Sequence, residues 1–526
     1  MLCELIPVAA SVPLTATVST SRSRSSCTSA LPSGPRNSDE LHRWPEQLVD
    51  GSSEVRVSRA IANVKSGIVL LSDFSGMLCV ETAMAMLLVE LEARGVDTAR
   101  VRVHRACDIN KVSRRVMLAA DGRTAPDHVF GCIKSQVPGP ALKQLHLMHE
   151  RFEMQIQSLI HQDMPHDEQQ RIWERIGKKY MLKGLELLEA SAFAEHGWCY
   201  KHNCLCPWNP ARTEHDMVIA VAGSVCKDYS SFGKMLMNMG KHSVAFIVWV
   251  ASLRKSLPDA ILHENVVNFD WRLLIDLFGG SYKARCRSFS PLHFGYPMNR
   301  PRIYSALVRL VGWHFHDGYD GPEFEETFRR IAADGSIYFH DELTEYELEV
   351  VESMASKVGR CLVRSVDGRI GSAAREFLSG VHGVRLSRFE AIAEQRGTKG
   401  FEFLTNLHNR PTFLQQITAY VPTLMCSSFI FNSNLNRPMF RDELFLSMGM
   451  PVNSQQFERC ASIFPLCSSA DASTSLSEQD ARLLCGNGMH VPSVGTVLFW
   501  LLSSATRQTP ELDDQSDQPV GATGRD

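Results

Sequence analysis

Short apolar runs alternate along this chain with stretches whose apolar positions recur at helical spacing, which is the pattern of a largely parallel sheet joined by crossover helices. The first run is 68–71; a helix over 80–94 follows, then a second strand over 101–106 that ends in Cys107-Asp108. Segment 128–133 reads as a third strand. The period then changes. Residues 138–193 are charged and helical, with Met148, Phe152, Ile156 and Ile160 on one apolar face, and they predict a helical insertion at about 135–212. Strand character resumes at 217–222, passes through a helix over 242–257 to a short strand at 260–262, and continues with strands at 282–289 and 303–310. Beyond that the alternation weakens, so 311–435 reads as a separate, smaller α+β region.

Composition changes the picture mainly at the ends. Residues 1–55 are rich in Ser, Thr, Ala and Pro without periodicity, and 506–526 are polar and acidic; both predict disorder. Arg22 and Arg24, with few acids before Asp39, also suit an organelle transit peptide, which leaves plastid or mitochondrion open. Hydrophobic residues at 44% and charged residues at 21% give the balance of a globular chain. Fifteen cysteines, an odd number without a regular framework, fit a reducing compartment better than a disulfide scaffold. The longest apolar stretches, 246–251 and 497–502, fall far short of the roughly 20 residues of a membrane-spanning helix, so no membrane partner is expected. A net charge of -3 excludes a polycation that coats nucleic acid, so any nucleic-acid surface must be a local patch.

Candidate chemistry gathers where strands end. Cys226 lies in the segment 222–230 just after a buried strand, and Glu264 ends the next strand within His263-Glu264-Asn265-Val266. Arg300 and Arg302 alternate in the following extended segment, so they share a face. A loop cysteine, a neighbouring carboxyl and cationic support are the parts of catalysis by thiolate addition. In an open parallel sheet, such groups belong at the carboxyl ends of the strands.

The order of these motifs resembles the cytosine-5 methyltransferase family. Its Gly-x-Pro-Cys-Gln-x-Phe-Ser loop is similar to 223–230, its Glu-Asn-Val motif stands literally at 264–266, and its Gln-x-Arg-x-Arg motif is similar to 298–302. Pro422-Thr423-Leu424, the segment 443–451 and Gly486-Asn487-Gly488 before Val491-Pro492 resemble later family segments, while Asp73-Phe74-Ser75-Gly76 resembles its cofactor loop. Val225, Lys227 and Met298 depart from the pattern, as do Leu78, where a second glycine is expected, and Cys132, where an aspartate is usual.

The resemblance implies a Rossmann-like class I S-adenosylmethionine-dependent methyltransferase fold, with the catalytic sheet at 60–310 completed by 436–505 and a target-recognition domain at 311–435. It implies cofactor contacts from Phe74, Ser75, Gly76, Asp108, Cys132 and Asn487. It implies that Cys226 attacks carbon 6 of a flipped-out cytosine, that Glu264 holds a proton on nitrogen 3, and that Arg300 and Arg302 support the base. DNA is the expected substrate and the nucleus the expected compartment. Transfer RNA is the alternative substrate; a non-catalytic nucleic-acid-binding relative, to which Leu78 and Cys132 point, is the alternative of a different class.

One cluster stands outside that pattern. His196, Cys199, His202, Cys204 and Cys206 fall within eleven residues of the insertion, and four of them suffice for tetrahedral structural zinc. The spacing Cys-x-x-His-x-Cys-x-Cys is not a standard finger, and an unligated loop is the other reading.

Overall fold

A computed structural model describes residues 31–160, 165–225, 240, 242–316, 322–360, 375–395, 404–409, 417–452, 454–469 and 474–508. In chain order the first nine strands are β1 (Ile68–Asp73), β2 (Val101–Cys107), β3 (His128–Phe130), β4 (His196–Cys199), β5 (Cys204–Pro207), β6 (Met217–Gly223), β7 (Ala260–Val266), β8 (Tyr282–Phe289) and β9 (Arg302–Arg309). Seven of them form one sheet in the order β3-β2-β1-β6-β7-β9-β8. The pairs β1–β2, β2–β3, β1–β6 and β6–β7 are parallel, and β9 runs antiparallel to both β7 and β8. This is the expected α/β fold, a Rossmann-like sheet of class I type.

The strands read as continuous apolar runs because both faces are covered. Ile68 and Leu70 of β1 join one core with Met217, Ile219 and Val221 of β6, under the helices Cys79–Ala93 and Val491–Ser504. Val69 and Leu71 face the other core with Val218, Ala220 and Ala222, under Ser243–Ser256 and the insertion helix His166–Glu189. The strand order reverses between β1 and β6, and a crevice for ligands opens at the carboxyl ends beside such a reversal.

Three expectations need correction. Residues 31–55 are not a disordered leader: the helix Trp44–Asp50 buries Trp44, Leu48 and Val49 in the main core. The Trp44 ring occupies the place a side chain at Gly495 would need, 2.1 Å from an added Cβ, and Tyr296 donates to the Leu41 carbonyl at 2.8 Å. The strand Ala505–Arg507 overlaps the start of the tail expected at 506–526 and pairs antiparallel with Trp313–Phe315. That same pairing ties the start of the 311–435 region to the catalytic part. The rest of the region holds the helices Glu345–Lys357 and Gly380–Gln395 and the strands Leu404–Asn406 and Ile430–Asn432, and their sheet takes its third strand, Arg437–Pro438, from just beyond 435. The helical stretch expected over 138–193 holds two helices, Gly139–Ile160 and His166–Glu189, and is followed within the insertion by the unforeseen hairpin β4–β5. Among the described residues, no helix is long and apolar enough to cross a membrane.

Candidate active site at the carboxyl ends of the strands

Parallel register brings the ends of four strands side by side. Asp73 pairs with Cys107 and with Ala222, and Gly223 pairs with Glu264. Cys226 and Lys227 lie outside the described residues, but the start of their loop is held firmly. Ser224 Oγ lies 2.8 Å from His263 Nε2, and Asn265 Nδ2 donates to Ser224 Oγ at 2.9 Å and to its carbonyl at 3.2 Å. Asn265 of the Glu-Asn-Val motif thus anchors the segment that leads into Cys226.

Glu264 is buried, and its Oε2 lies 3.5 Å from where a Cβ on Gly223 would stand. The carboxyl thus lies in contact distance of the end of β6. Burial pushes the Glu264 carboxyl above its usual range, while the Arg302 and Arg300 guanidinium groups pull it back. Arg302 Nε is 3.0 Å from Glu264 Oε1.

Arg300 is buried and donates to the backbone. Its Nη1 donates to the Leu424 carbonyl at 3.1 Å, and its Nη2 to the carbonyls of Gly486 at 3.3 Å and Gly488 at 2.6 Å. A planar guanidinium can serve several carbonyls at once. Arg300 therefore ties the segment after β8 to the Pro-Thr-Leu and Gly-Asn-Gly segments.

The loop after β1 has the turns expected of a cofactor cradle. Phe74, Gly76 and Leu78 all take left-handed backbone, with φ of 55°, 56° and 61°. A leucine is strained in that conformation; Leu78 keeps the backbone shape of the missing glycine and offsets the strain by packing on Ala106, Met117 and Val129. Gly76 faces open space, with nothing within 4 Å of an added Cβ. Ser75 Oγ accepts from the Cys107 amide at 2.9 Å and donates to the Ser72 carbonyl at 3.0 Å, which locks the turn. Asp73, by contrast, is fully buried in a two-point pair with Arg105, at 3.1 and 2.8 Å, and serves the sheet.

Asp108 stands at the end of β2, partly exposed, accepting from the amides of Gly76 at 3.0 Å and Asn110 at 2.7 Å. Cys132 follows β3, half-buried, before the turn Ile133–Gln136. Asn487 ends the helix Glu478–Asn487, exposed, with its Oδ1 3.3 Å from Cys426 Sγ.

Two residues that the sequence did not single out shape the pocket between these groups. Glu81 is buried, and its Oε1 has no hydrogen-bond partner among the described residues. Burial pushes its carboxyl up to about 7. Its signal was an acid inside an otherwise apolar helical face. Met489 lays its Cε over Gly223, 2.8 Å from where a Cβ would be.

The chemistry of this donor set fits S-adenosylmethionine: a partly exposed carboxylate at the end of β2 for ribose hydroxyls, open backbone turns, and an orphaned carboxyl oxygen deep in the pocket. The volume is tight. Residues 72–76, 79–81, 221–223 and 487–489 enclose about 20 Å³, enough for one water molecule. Met489 lines this space with its flexible side chain.

In the insertion, the structure brings together Cys199, His202 and Cys206 of the expected zinc group and adds His128 of β3. His196 lies at the open end of the hairpin opposite Pro207 and is not in the group. Cys204 Sγ is 3.8 Å from Cys206 Sγ but also stands outside it.

Fold and strand ends together define a Rossmann-like α/β protein of class I type with a buried acid–guanidinium pair at its switch-point crevice. No family model matches the chain, and no curated protein matches it significantly. Solved structures that align with it include Dnmt2 methyltransferase from S. pombe, at 14% identity and a TM-score of 0.39, covering 83% of this chain and 98% of that one. A triple mutant of Spodoptera frugiperda DNMT2 aligns at 14% identity and 0.38, covering 83% and 99%. The Entamoeba histolytica methyltransferase EhMeth aligns at 10% identity and 0.33, covering 83% and 98%. Likeness at this level carries no inference about activity.

Proposed function

We propose that this chain is a nucleic-acid cytosine-5 methyltransferase acting on DNA. The observation that carries the reading is the buried Glu264–Arg302 pair at the end of β7, laid over Gly223 only three residues before Cys226. A carboxyl whose proton is favoured by burial, next to a guanidinium that orients it, suits protonation of a ring nitrogen.

In this reading a cytosine flips out of the duplex, at a cost of a few kcal/mol offset by pocket contacts. The Cys226 thiolate adds to carbon 6 while Glu264 gives its proton to nitrogen 3, and the displaced electron pair makes carbon 5 nucleophilic. Bound S-adenosylmethionine supplies an electrophilic methyl group. A solvent base takes the carbon-5 proton as the thiolate leaves carbon 6, and the nitrogen-3 proton returns to Glu264, which restores the ring and frees Cys226. Asn265 and His263 hold the loop base, and Asp108 with the turns at 74–76 holds the cofactor.

The test is label transfer from methyl-labelled S-adenosylmethionine by the full-length protein to duplex DNA and, separately, to transfer RNA. Label in DNA cytosine is the expected result. Label in transfer RNA alone would reassign the substrate, and label in neither would favour the non-catalytic binder.

A further inference from the structure

We propose that His128, Cys199, His202 and Cys206 form a structural zinc site that fastens the β4–β5 hairpin of the insertion to the edge of the catalytic sheet. Their ligand atoms all lie within 4.8 Å of one another. His202 Nδ1 is the centre of convergence: His128 Nδ1 is 3.2 Å away, Cys206 Sγ 3.3 Å and Cys199 Sγ 3.5 Å. One imidazole nitrogen carries either one hydrogen or one lone pair, so it satisfies one of these three neighbours at most. A cation at the centre satisfies all four ligands together. With zinc–nitrogen bonds of about 2.0–2.1 Å and zinc–sulfur bonds of about 2.3 Å, tetrahedral edges are roughly 3.3 Å for two nitrogens and 3.6 Å for nitrogen and sulfur, close to the spacings found here.

The donor types suit zinc among biological divalent ions, since two thiolates with two imidazoles select a soft tetrahedral ion over calcium or magnesium. Cys199 and Cys206 bind as thiolates and release two protons, so the charge of the ion is balanced within the site. The Val129 amide, 3.4 Å from Cys199 Sγ, donates toward one of these sulfurs. Both cysteines are buried, His128 is half-buried and His202 is exposed.

The hairpin needs such a fastening. It has two strands of four residues each, too little for independent stability, and it covers β3, the edge of the seven-stranded sheet. Further contacts of the hairpin run to the same place. The Tyr200 amide donates to the Val129 carbonyl at 2.8 Å, and Trp208 stacks on Phe130 at 4.0 Å. Gly197 lets Trp208 lie flat, because a Cβ there would meet the indole at 2.6 Å. Tyr200 in turn packs over Gly131, beside Cys132. The site thus fixes the hairpin against the segment Gly131–Cys132 that follows β3.

Metal content of the full-length protein after dialysis against metal-free buffer is the test, together with the spectrum of its cobalt(II)-substituted form. One zinc per chain is expected, with a tetrahedral cobalt spectrum carrying the thiolate charge-transfer intensity of two sulfurs. Cys204→Ser and His196→Ala should keep the metal, and His128→Ala should lose it. Absence of stoichiometric zinc, full zinc retention by folded His128→Ala, or loss of zinc in folded Cys204→Ser overturns the proposal. Should His128→Ala fail to fold, the wild-type cobalt spectrum decides: an intensity of three thiolates places the site within the hairpin and contradicts the role of His128.

Discussion

Arg302 Nε lies 3.0 Å from Glu264 Oε1, and each side chain is only 9% exposed. The two are diagonal across the β7–β9 ladder, where Glu264 faces Tyr304 and Arg302 faces Val266. Removing one partner strands the other charge away from water. Arg302→Met should therefore destabilise the fold by roughly 3–5 kcal/mol, while Glu264→Gln with Arg302→Met should cost less than the two single changes together. Denaturant unfolding of the three variants measures this; additive effects would show that the pair is not coupled. Glu264→Gln alone should abolish methyl transfer.

Arg300 should behave differently, because it donates to three backbone carbonyls from two segments. Arg300→Ala leaves those carbonyls unpaired and should destabilise by roughly 3 kcal/mol. Arg300→Lys should recover little, since an ammonium cannot span all three. Urea midpoints report both values, and a change under about 0.5 kcal/mol, the ordinary surface range, would contradict the assigned tie.

Met489 lines the pocket with its Cε over Gly223, and in the proposed function it stands in the way of the cofactor. Turning it out of the way costs roughly 1 kcal/mol if it leaves its preferred rotamer, so Met489→Ala should tighten S-adenosylmethionine binding about fivefold. Titration calorimetry checks this. Weaker binding would mean that Met489 contacts the cofactor rather than obstructing it.

Glu81 gives the protein a pH dependence whose sign is fixed by burial. Its folded value of about 7 lies above the ordinary glutamate value of 4.5. The native state therefore binds more protons than the unfolded chain between these values, and its stability falls as pH rises. The stabilisation is complete below about pH 4.5 and lost as pH passes about 7. Glu81→Gln should flatten the melting temperature between pH 5 and 8, read by thermal unfolding at several pH values; an unchanged slope would assign it to other groups.

The sheet was legible because Met217, Ile219 and Val221 are buried on one face and Val218, Ala220 and Ala222 on the other, so β6 shows as an unbroken apolar run. Glu264 was legible for a different reason, since its motif stands intact. The folding of Trp44–Asp50 was hidden in a polar neighbourhood, because Trp44 finds its partner at Gly495, far along the chain. His128 was hidden likewise: its neighbours at Cys199, His202 and Cys206 come from another element, and local spacing pointed to His196 and Cys204 instead. Met489 acts through the missing side chain of Gly223, a relation that no periodicity records. The motif departure at Leu78 was visible, but its consequence was not: the left-handed backbone survives the loss of glycine.

The most direct measurement is covalent capture on oligonucleotides that carry 2-pyrimidinone in place of cytosine, which accept a thiol at carbon 6. Wild type should form a denaturation-resistant adduct on DNA, Cys226→Ala should form none, and Glu264→Gln should form it far more slowly. No adduct on DNA or RNA with folded wild-type protein, or an undiminished adduct with Cys226→Ala, would contradict the assignment of Cys226 and Glu264 to one reacting site.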